Sequence, residues 1–211
     1  MILHKLIVGF MATNCYIFGS DHTIIIIDPG DEPEHIIEKV ENLPNRVEVL
    51  GVVLTHDHPD HTANAERIVR HFNTNLMYCN KEKSQFFLAI KRPPDISLNE
   101  GNTIELDDIT LHILETPGHS PASIILHTSD VKEINGQRCD GIIFSGDLLF
   151  RRSVGRSDIH GGDLKILMSS IKEKIMYNPD ITDNFIVFPG HMGNTTVGEE
   201  RKYNMFKDYF L

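Results

Sequence analysis

The stretch THDHPDH, residues 55–61, places three histidines, two aspartates and a proline in six consecutive positions. Packing does not call for imidazole and carboxylate at this density. The apolar run GVVLT precedes the cluster, and TANAERIVRHF, a helix-like run, follows it. The cluster therefore falls on a turn between a buried strand and a helix, the edge of an α/β sheet where ligands bind. Three later stretches repeat the arrangement. ITLHILETPGHS runs through a Pro-Gly turn to His119, GIIFSGDLLF through Ser-Gly to Asp147, and FIVFPGH through Pro-Gly to His191. Four such loops at one edge can gather His56, His58, Asp60, His61, His119, Asp147 and His191. Imidazole and carboxylate ligands without thiolate suit zinc, iron or manganese.

Seven ligands are too many for one tetrahedral ion and fit two ions sharing a carboxylate. His56 and His58, two apart on an extended turn, point one way. Asp60 and His61 begin the helix and reach a second position. The expected division is His56, His58 and His119 on one ion, Asp60, His61 and His191 on the other, with Asp147 bridging. Two divalent ions lower the pKa of a shared water toward neutrality, so the nucleophile is hydroxide and no Ser or Cys is needed. Asp60 capping the helix and histidines facing solvent would explain one motif, but not its recurrence at four strand ends. Of the other histidines, His4, His22, His112 and His127 lie in strand-like stretches, and His35 and His71 on amphipathic helices. Each is expected to face solvent or make one hydrogen bond.

These loops need strands behind them. Strands are expected at Ile2–Val8, Asn14–Phe18, His22–Ile27, Val47–Leu54, Leu76–Cys79, Thr103–Leu106, Ile109–Glu115, Ser123–His127, Gly141–Phe144 and Phe185–Phe188. Helices are expected over EPEHIIEKVENL, Thr62–Phe72, KEKSQFFLAI, LKILMSSIKEKIM behind an Asp163 cap, and Glu199–Phe210. KRPPDISLNEG reads as a loop. Asn135-Gly136 is a tight-turn signal that pairs its flanking strands as a hairpin. Strand runs bracketed by helices indicate two sheets face to face with helices outside, a four-layer α/β arrangement in one domain over residues 1–211.

The 211 residues are 40% hydrophobic and 24% charged, with net charge −10. Such acidity argues against broad nucleic-acid or anionic-membrane partners. No apolar run approaches a membrane span. MILHKLIVGF lacks the apolar core and cleavage site of a signal peptide. Cys15, Cys79 and Cys139 are odd in number and far apart, as free thiols in a reducing cytosol would be. A cytoplasmic protein, monomeric or a small homo-oligomer, is expected.

THDHPDH matches Thr-His-x-His-x-Asp-His, and the chain thereby resembles the metallo-β-lactamase superfamily. NCYIF, IIIIDPG, TPGHS, SGDLLFRRSVGRSD and PGHMGNTTVGEERKYNMF match, in order, its small glyoxalase II-like (hydroxyacylglutathione hydrolase-like) branch. The resemblance implies an αββα sandwich and the ligand division above, with Asp60, His61 and Asp147 in the catalytic set. It also implies that Asp28 steadies the metal loops and that Arg156 contacts a substrate carboxylate. His160, near Arg156, is a candidate for the same cleft. The chain departs from glyoxalase II in two places. The sequence ends five residues after Phe206, so the C-terminal helical domain that supplies much of the glutathione site in glyoxalase II is expected to be missing, and Ser153 stands where glyoxalase II has Gly before its Cys-Gly-Lys. The activity implied is hydrolysis of a small-molecule thioester such as S-lactoylglutathione by two divalent ions, zinc first, iron or manganese as alternatives. The competing reading is a persulfide dioxygenase-like oxidoreductase with one iron.

Overall fold

Branched apolar residues dominate the first strands of the chain, and a computed structural model describing residues 1–79, 90, 92–159 and 161–211 shows what they build. β1 (Ile2–Val8), β2 (Thr13–Gly19) and β3 (Thr23–Ile27) pair antiparallel in sequence, and β4 (Glu48–Val53) and β5 (Asn75–Tyr78) add on in parallel. Ile24 to Ile27 are all buried, as a strand covered on both faces requires. α1 (Pro33–Glu41) joins β3 to β4, and α2 (Pro59–Thr62) with α3 (Ala65–Phe72) joins β4 to β5. The two-residue β6 (Ile96–Ser97) lies in the stretch expected to be only loop and pairs with β5 to end this sheet.

The second sheet takes β7 (Thr103–Leu106), β8 (Ile109–Glu115), β9 (Ile124–Thr128), β12 (Gly141–Gly146), β15 (Phe185–Pro189) and β16 (Thr195–Thr196), ordered β16-β15-β12-β9-β8-β7. The small ribbons β10/β11 (Glu133–Ile134, Gln137–Arg138) and β13/β14 (Leu149–Phe150, Ser153–Val154) stand apart. α4 (Leu164–Ile171) runs into a π-helical turn at Lys172–Met176, and α5 (Val197–Tyr203) and α6 (Lys207–Phe210) close the chain.

The sheets meet through aromatic rings. Tyr16 and Phe18 of β2 lie 5.2 and 5.0 Å from Phe144 of β12, and Tyr16 lies 5.8 Å from Phe188 of β15. Ile36, Val40, Ile68 and Val69 from α1 and α3 complete that core. The far face of the second sheet, with Ile125, Ile143, Phe185 and Val187, packs against Leu167, Ile171, Ile175, Val197 and Phe210 from α4, the π turn, α5 and α6. The layers thus run helix, sheet, sheet, helix.

Four expectations need correction or bounding. The helix expected over Thr62–Phe72 breaks after Thr62, where the Asn64 amide donates to the Gly30 carbonyl at 2.9 Å and ties the break to the β3–α1 loop. The closing helix also breaks. Asn204 adopts extended backbone, and its amide donates to Ser153 O and Glu200 Oε2 at 2.9 and 2.7 Å. Asn135-Gly136 turns the β10/β11 ribbon, with both residues at positive φ, while β9 and β12 pair antiparallel beyond it. The helix over 81–90 falls almost wholly outside the described residues. Asp163 caps α4 as expected, its Oδ1 accepting from Lys165 N and Ile166 N at 2.8 and 3.0 Å. Among the described residues no helix is long and apolar enough to cross a membrane.

Candidate metal centre

β4 ends at Val53, the chain bends at Thr55 and His56 and is extended at His58, and Pro59 then starts α2 with its φ already helical. His58 projects from extended backbone and His56 from the bend before it, while Asp60 and His61 project from the first helical turn. This change of conformation aims one motif at two places. His56, His58 and His119 form one group whose ligand atoms lie within 4.8 Å of one another; Asp60, His61 and His191 form a second by the same measure. Asp60 does not cap the helix; its Oδ2 accepts from Thr13 Oγ1 at 3.1 Å.

Asp147 lies between the groups. Its Oδ1 is 3.5 Å from His61 Nε2, and its Oδ2 is 3.5 Å from both His119 Nε2 and His191 Nε2. Within and between the loops the Nε2 atoms face one another, His56 to His119 and His61 to His191, each pair at 3.2 Å. The outer nitrogens are tethered. His61 Nδ1 donates to Asp28 Oδ2 at 2.9 Å, His119 Nδ1 to the Arg156 carbonyl at 2.7 Å, and His56 Nδ1 to Thr55 Oγ1 at 3.1 Å. An Nδ1–H held outside leaves the Nε2 lone pair facing inward, the tautomer a metal ligand needs. Asp147 Oδ1 is buried and receives no hydrogen bond. A buried carboxylate oxygen without a donor is costly unless a cation meets it. These donors fit a pair of divalent ions.

Burial holds His56 well below the ordinary imidazole range, and the neighbouring histidines push the same way. Burial also lowers His58 and His119. Neutral imidazole is the ligating form. The second group differs. Burial opposes charge on His61, but Asp147, Asp28 and Asp60 outweigh it and lift its pKa to about 9. Burial likewise opposes charge on His191, and Asp60 and Asp147 prevail to raise it. Burial works against ionising Asp60, yet His191, His61 and the Thr13 hydroxyl hold it well below the carboxylate range. Without metal the shifts favour neutral rings in the first group and protonated rings beside carboxylates in the second, whose Nε2 protons a metal ion would displace.

Asp28 is buried at φ +52 and accepts from Thr55 N at 2.8 Å and Thr55 Oγ1 at 2.6 Å as well as from His61. Arg156 lies with its side chain exposed, its guanidinium bonded to Asp158 by Nε (2.8 Å) and a terminal nitrogen (3.1 Å). Its carbonyl, not its charge, touches the centre. His160 lies outside the described residues. His127, expected to be unremarkable, is buried beside His112, with ring centroids 5.4 Å apart.

Sequence reasoning missed the residues that frame the centre. Asn14 and Tyr16 of β2 reach across to the loop carrying His191, bonding the Pro189 carbonyl at 2.8 and 2.7 Å. Gly190 leaves no room for a side chain: a Cβ would overlap Asp147 Oδ1 and sit 2.7 Å from His61 Cε1. The glycines of DPG and PGH were the available signal, since both stand directly before or beside a metal-capable loop.

Two facing six-stranded sheets, helices outside, and paired histidine–carboxylate groups at one edge define a metal-binding αββα sandwich. The chain belongs to the metallo-beta-lactamase superfamily, whose family model matches residues 8–191. Hydroxyacylglutathione hydrolase GloC of Haemophilus influenzae is 32% identical over 208 residues, 92% of each chain. The structure resembles BLEG-1, a B3 metallo-beta-lactamase, with TM-score 0.83 and 28% identity over 98% of this chain and 99% of that one. It also resembles TTHA1623 in a di-iron-bound form, with TM-score 0.74 and 30% identity over 96% and 99%.

Proposed function

We propose that this protein is a binuclear metal-dependent thioester hydrolase of the glyoxalase II type. The observation that carries the reading is Asp147, whose buried Oδ1 has no donor and whose carboxylate is set between two three-residue groups, each able to hold an ion. In this reading His56, His58 and His119 would hold one ion and Asp60, His61 and His191 the other, with Asp147 placed to serve both. Two such ions, when bound, would supply an acidified water and an electrophile for a carbonyl oxygen. Asp28, Thr55 and the Arg156 carbonyl keep the Nδ1 protons outside, so the inward nitrogens stay ligands. The similarity to GloC favours a thioester over a β-lactam. TTHA1623, described in a di-iron form, keeps iron beside zinc as a candidate metal.

Recognition on the substrate side falls to the rim. Phe10 and Met11 on the β1–β2 turn and Met192 after His191 are exposed apolar residues. Arg156 offers a cation that must trade Asp158 for a substrate carboxylate. Such a rim suits several thioesters held weakly. The test is thiol release from S-lactoylglutathione and a panel of other thioesters, with protein reconstituted separately with Zn and Fe(II). Oxygen-independent release is expected. Oxygen uptake with glutathione persulfide by the iron form, with no thioester hydrolysed by either, would replace this reading with a dioxygenase.

A further inference from the structure

We propose that Thr13 and Asn14, consecutive residues of β2, position the Asp60–His61–His191 half of the centre and not the His56–His58–His119 half. Successive side chains of a strand point to opposite faces. Thr13 turns toward α2, and Asn14 turns toward the second sheet. Each meets one ligand-bearing loop of the same half-site.

Thr13 is buried, and its hydroxyl donates to Asp60 Oδ2 at 3.1 Å. That oxygen is the one facing the centre, 3.4 Å from His61 Nε2 and 3.3 Å from His191 Nε2. The hydroxyl occupies one lone pair and fixes which oxygen, in which orientation, is presented inward. Asn14 is also buried and clamps the His191 loop on both sides. Its amide donates to Pro189 O at 2.8 Å and Met192 O at 2.9 Å, while its backbone N–H donates to Gly190 O at 2.7 Å. Met192 sits at φ +69, a conformation that side-chain-bearing residues rarely take unaided. Lys5 Nζ adds a bond to the same Met192 carbonyl at 3.4 Å. Pro189 and Met192 flank Gly190 and His191, so these bonds set the direction of the His191 ring.

The other half draws on different parts of the chain. His56 is held by Thr55, and His119 by the Arg156 carbonyl. Two carboxylates connect the halves, Asp28, which bonds both Thr55 and His61, and Asp147, which lies between the groups, and neither is hydrogen-bonded to Thr13 or Asn14. A defect in β2 therefore acts on one ion. This inference rests on the reading that Asp60, His61 and His191 hold a metal.

The experiment is zinc competition against a chromogenic chelator for the wild type, Thr13→Val, Thr13→Ser and Asn14→Ala. Cobalt(II) absorption spectra of the same proteins and of His191→Ala and His119→Ala accompany it. The wild type should take two ions. Thr13→Val keeps the shape and loses the donor, so it should bind the first ion as the wild type does and the second roughly ten- to hundredfold more weakly, the usual cost of losing a bond to a ligand. Thr13→Ser restores the donor and should return the second affinity to within a few-fold. The one-cobalt spectrum of Thr13→Val should match that of His191→Ala, not His119→Ala. Asn14→Ala, if it folds, should do likewise. A Thr13→Val protein that binds both ions normally, or weakens both equally, overturns the assignment. A wild type saturating at one ion overturns the binuclear reading itself, and the positioning role with it.

Discussion

Asp28→Asn is the most discriminating change outside the ligands. The carboxylate is buried and takes three hydrogen bonds, from Thr55 N, Thr55 Oγ1 and His61 Nδ1 at 2.8, 2.6 and 2.9 Å. Its φ of +52 would strain most replacements, but Asn tolerates the left-handed region and keeps the size. Asn must keep its oxygen toward the Thr55 main-chain N–H, which turns its NH₂ toward His61. The Thr55 hydroxyl can rotate to accept that group. His61 has two options. It can move its proton to Nε2, where it no longer ligates, or keep Nδ1–H facing a second donor. An unmet buried donor costs about 1–3 kcal/mol, and 1.4 kcal/mol is tenfold in affinity, so about a ten- to hundredfold loss is expected. The loss should fall mainly on the ion held with Asp60 and His191. Stepwise zinc competition measures it, and thermal unfolding of metal-free protein verifies the fold. Unchanged affinity at both steps would refute the claim that Asp28 selects the His61 tautomer.

Three further outcomes are expected. Gly190→Ala should leave the protein folded but poorly loaded, because the new Cβ meets Asp147 and His61; normal metal content would show that the loop yields freely. Arg156→Ala should raise KM for a carboxylate-bearing thioester with kcat and metal content kept, since the carbonyl that holds His119 remains; an unchanged KM assigns Arg156 to its surface pair with Asp158. Burial first, then His112, lower the His127 pKa to about 4. A depressed histidine pKa gives stability that is full above about 6.5 and is lost as pH falls from there toward about 4, because the unfolded chain binds the proton first. The swing is at most about 3.5 kcal/mol at about 1.4 per pKa unit, so in metal-free protein His127→Gln should flatten stability across that window, read by urea unfolding at several pH values.

The candidate ligands were legible because they stand where an apolar strand gives way to a turn, through Pro-Gly or Ser-Gly at His119, Asp147 and His191, a local pattern that places side chains without knowledge of the tertiary fold. His119, Asp147 and His191 needed only that sheet edges be shared. Thr13 carried no such mark, and Asn14 stood only at the head of the NCYIF stretch, with nothing local to give it a role. Both look like ordinary polar residues on a strand, and their partners lie at Asp60 and Pro189–Met192, far along the chain. The helix breaks at Asn64 and Asn204 escaped for the same reason: each asparagine bonds a distant carbonyl, Gly30 or Ser153, and local periodicity cannot see it. His127 read as a strand histidine of no consequence because its burial beside His112 comes only with the pairing of β9 to β8.

Metal stoichiometry tests the central claim most directly. Protein stripped of metal, reloaded with Zn or Fe(II) and freed of excess should carry two ions per chain by elemental analysis. Asp147→Ala, which removes the carboxylate between the groups, should lower the affinity of both. A folded wild-type preparation that saturates at one ion per chain, with either metal, would contradict the binuclear centre.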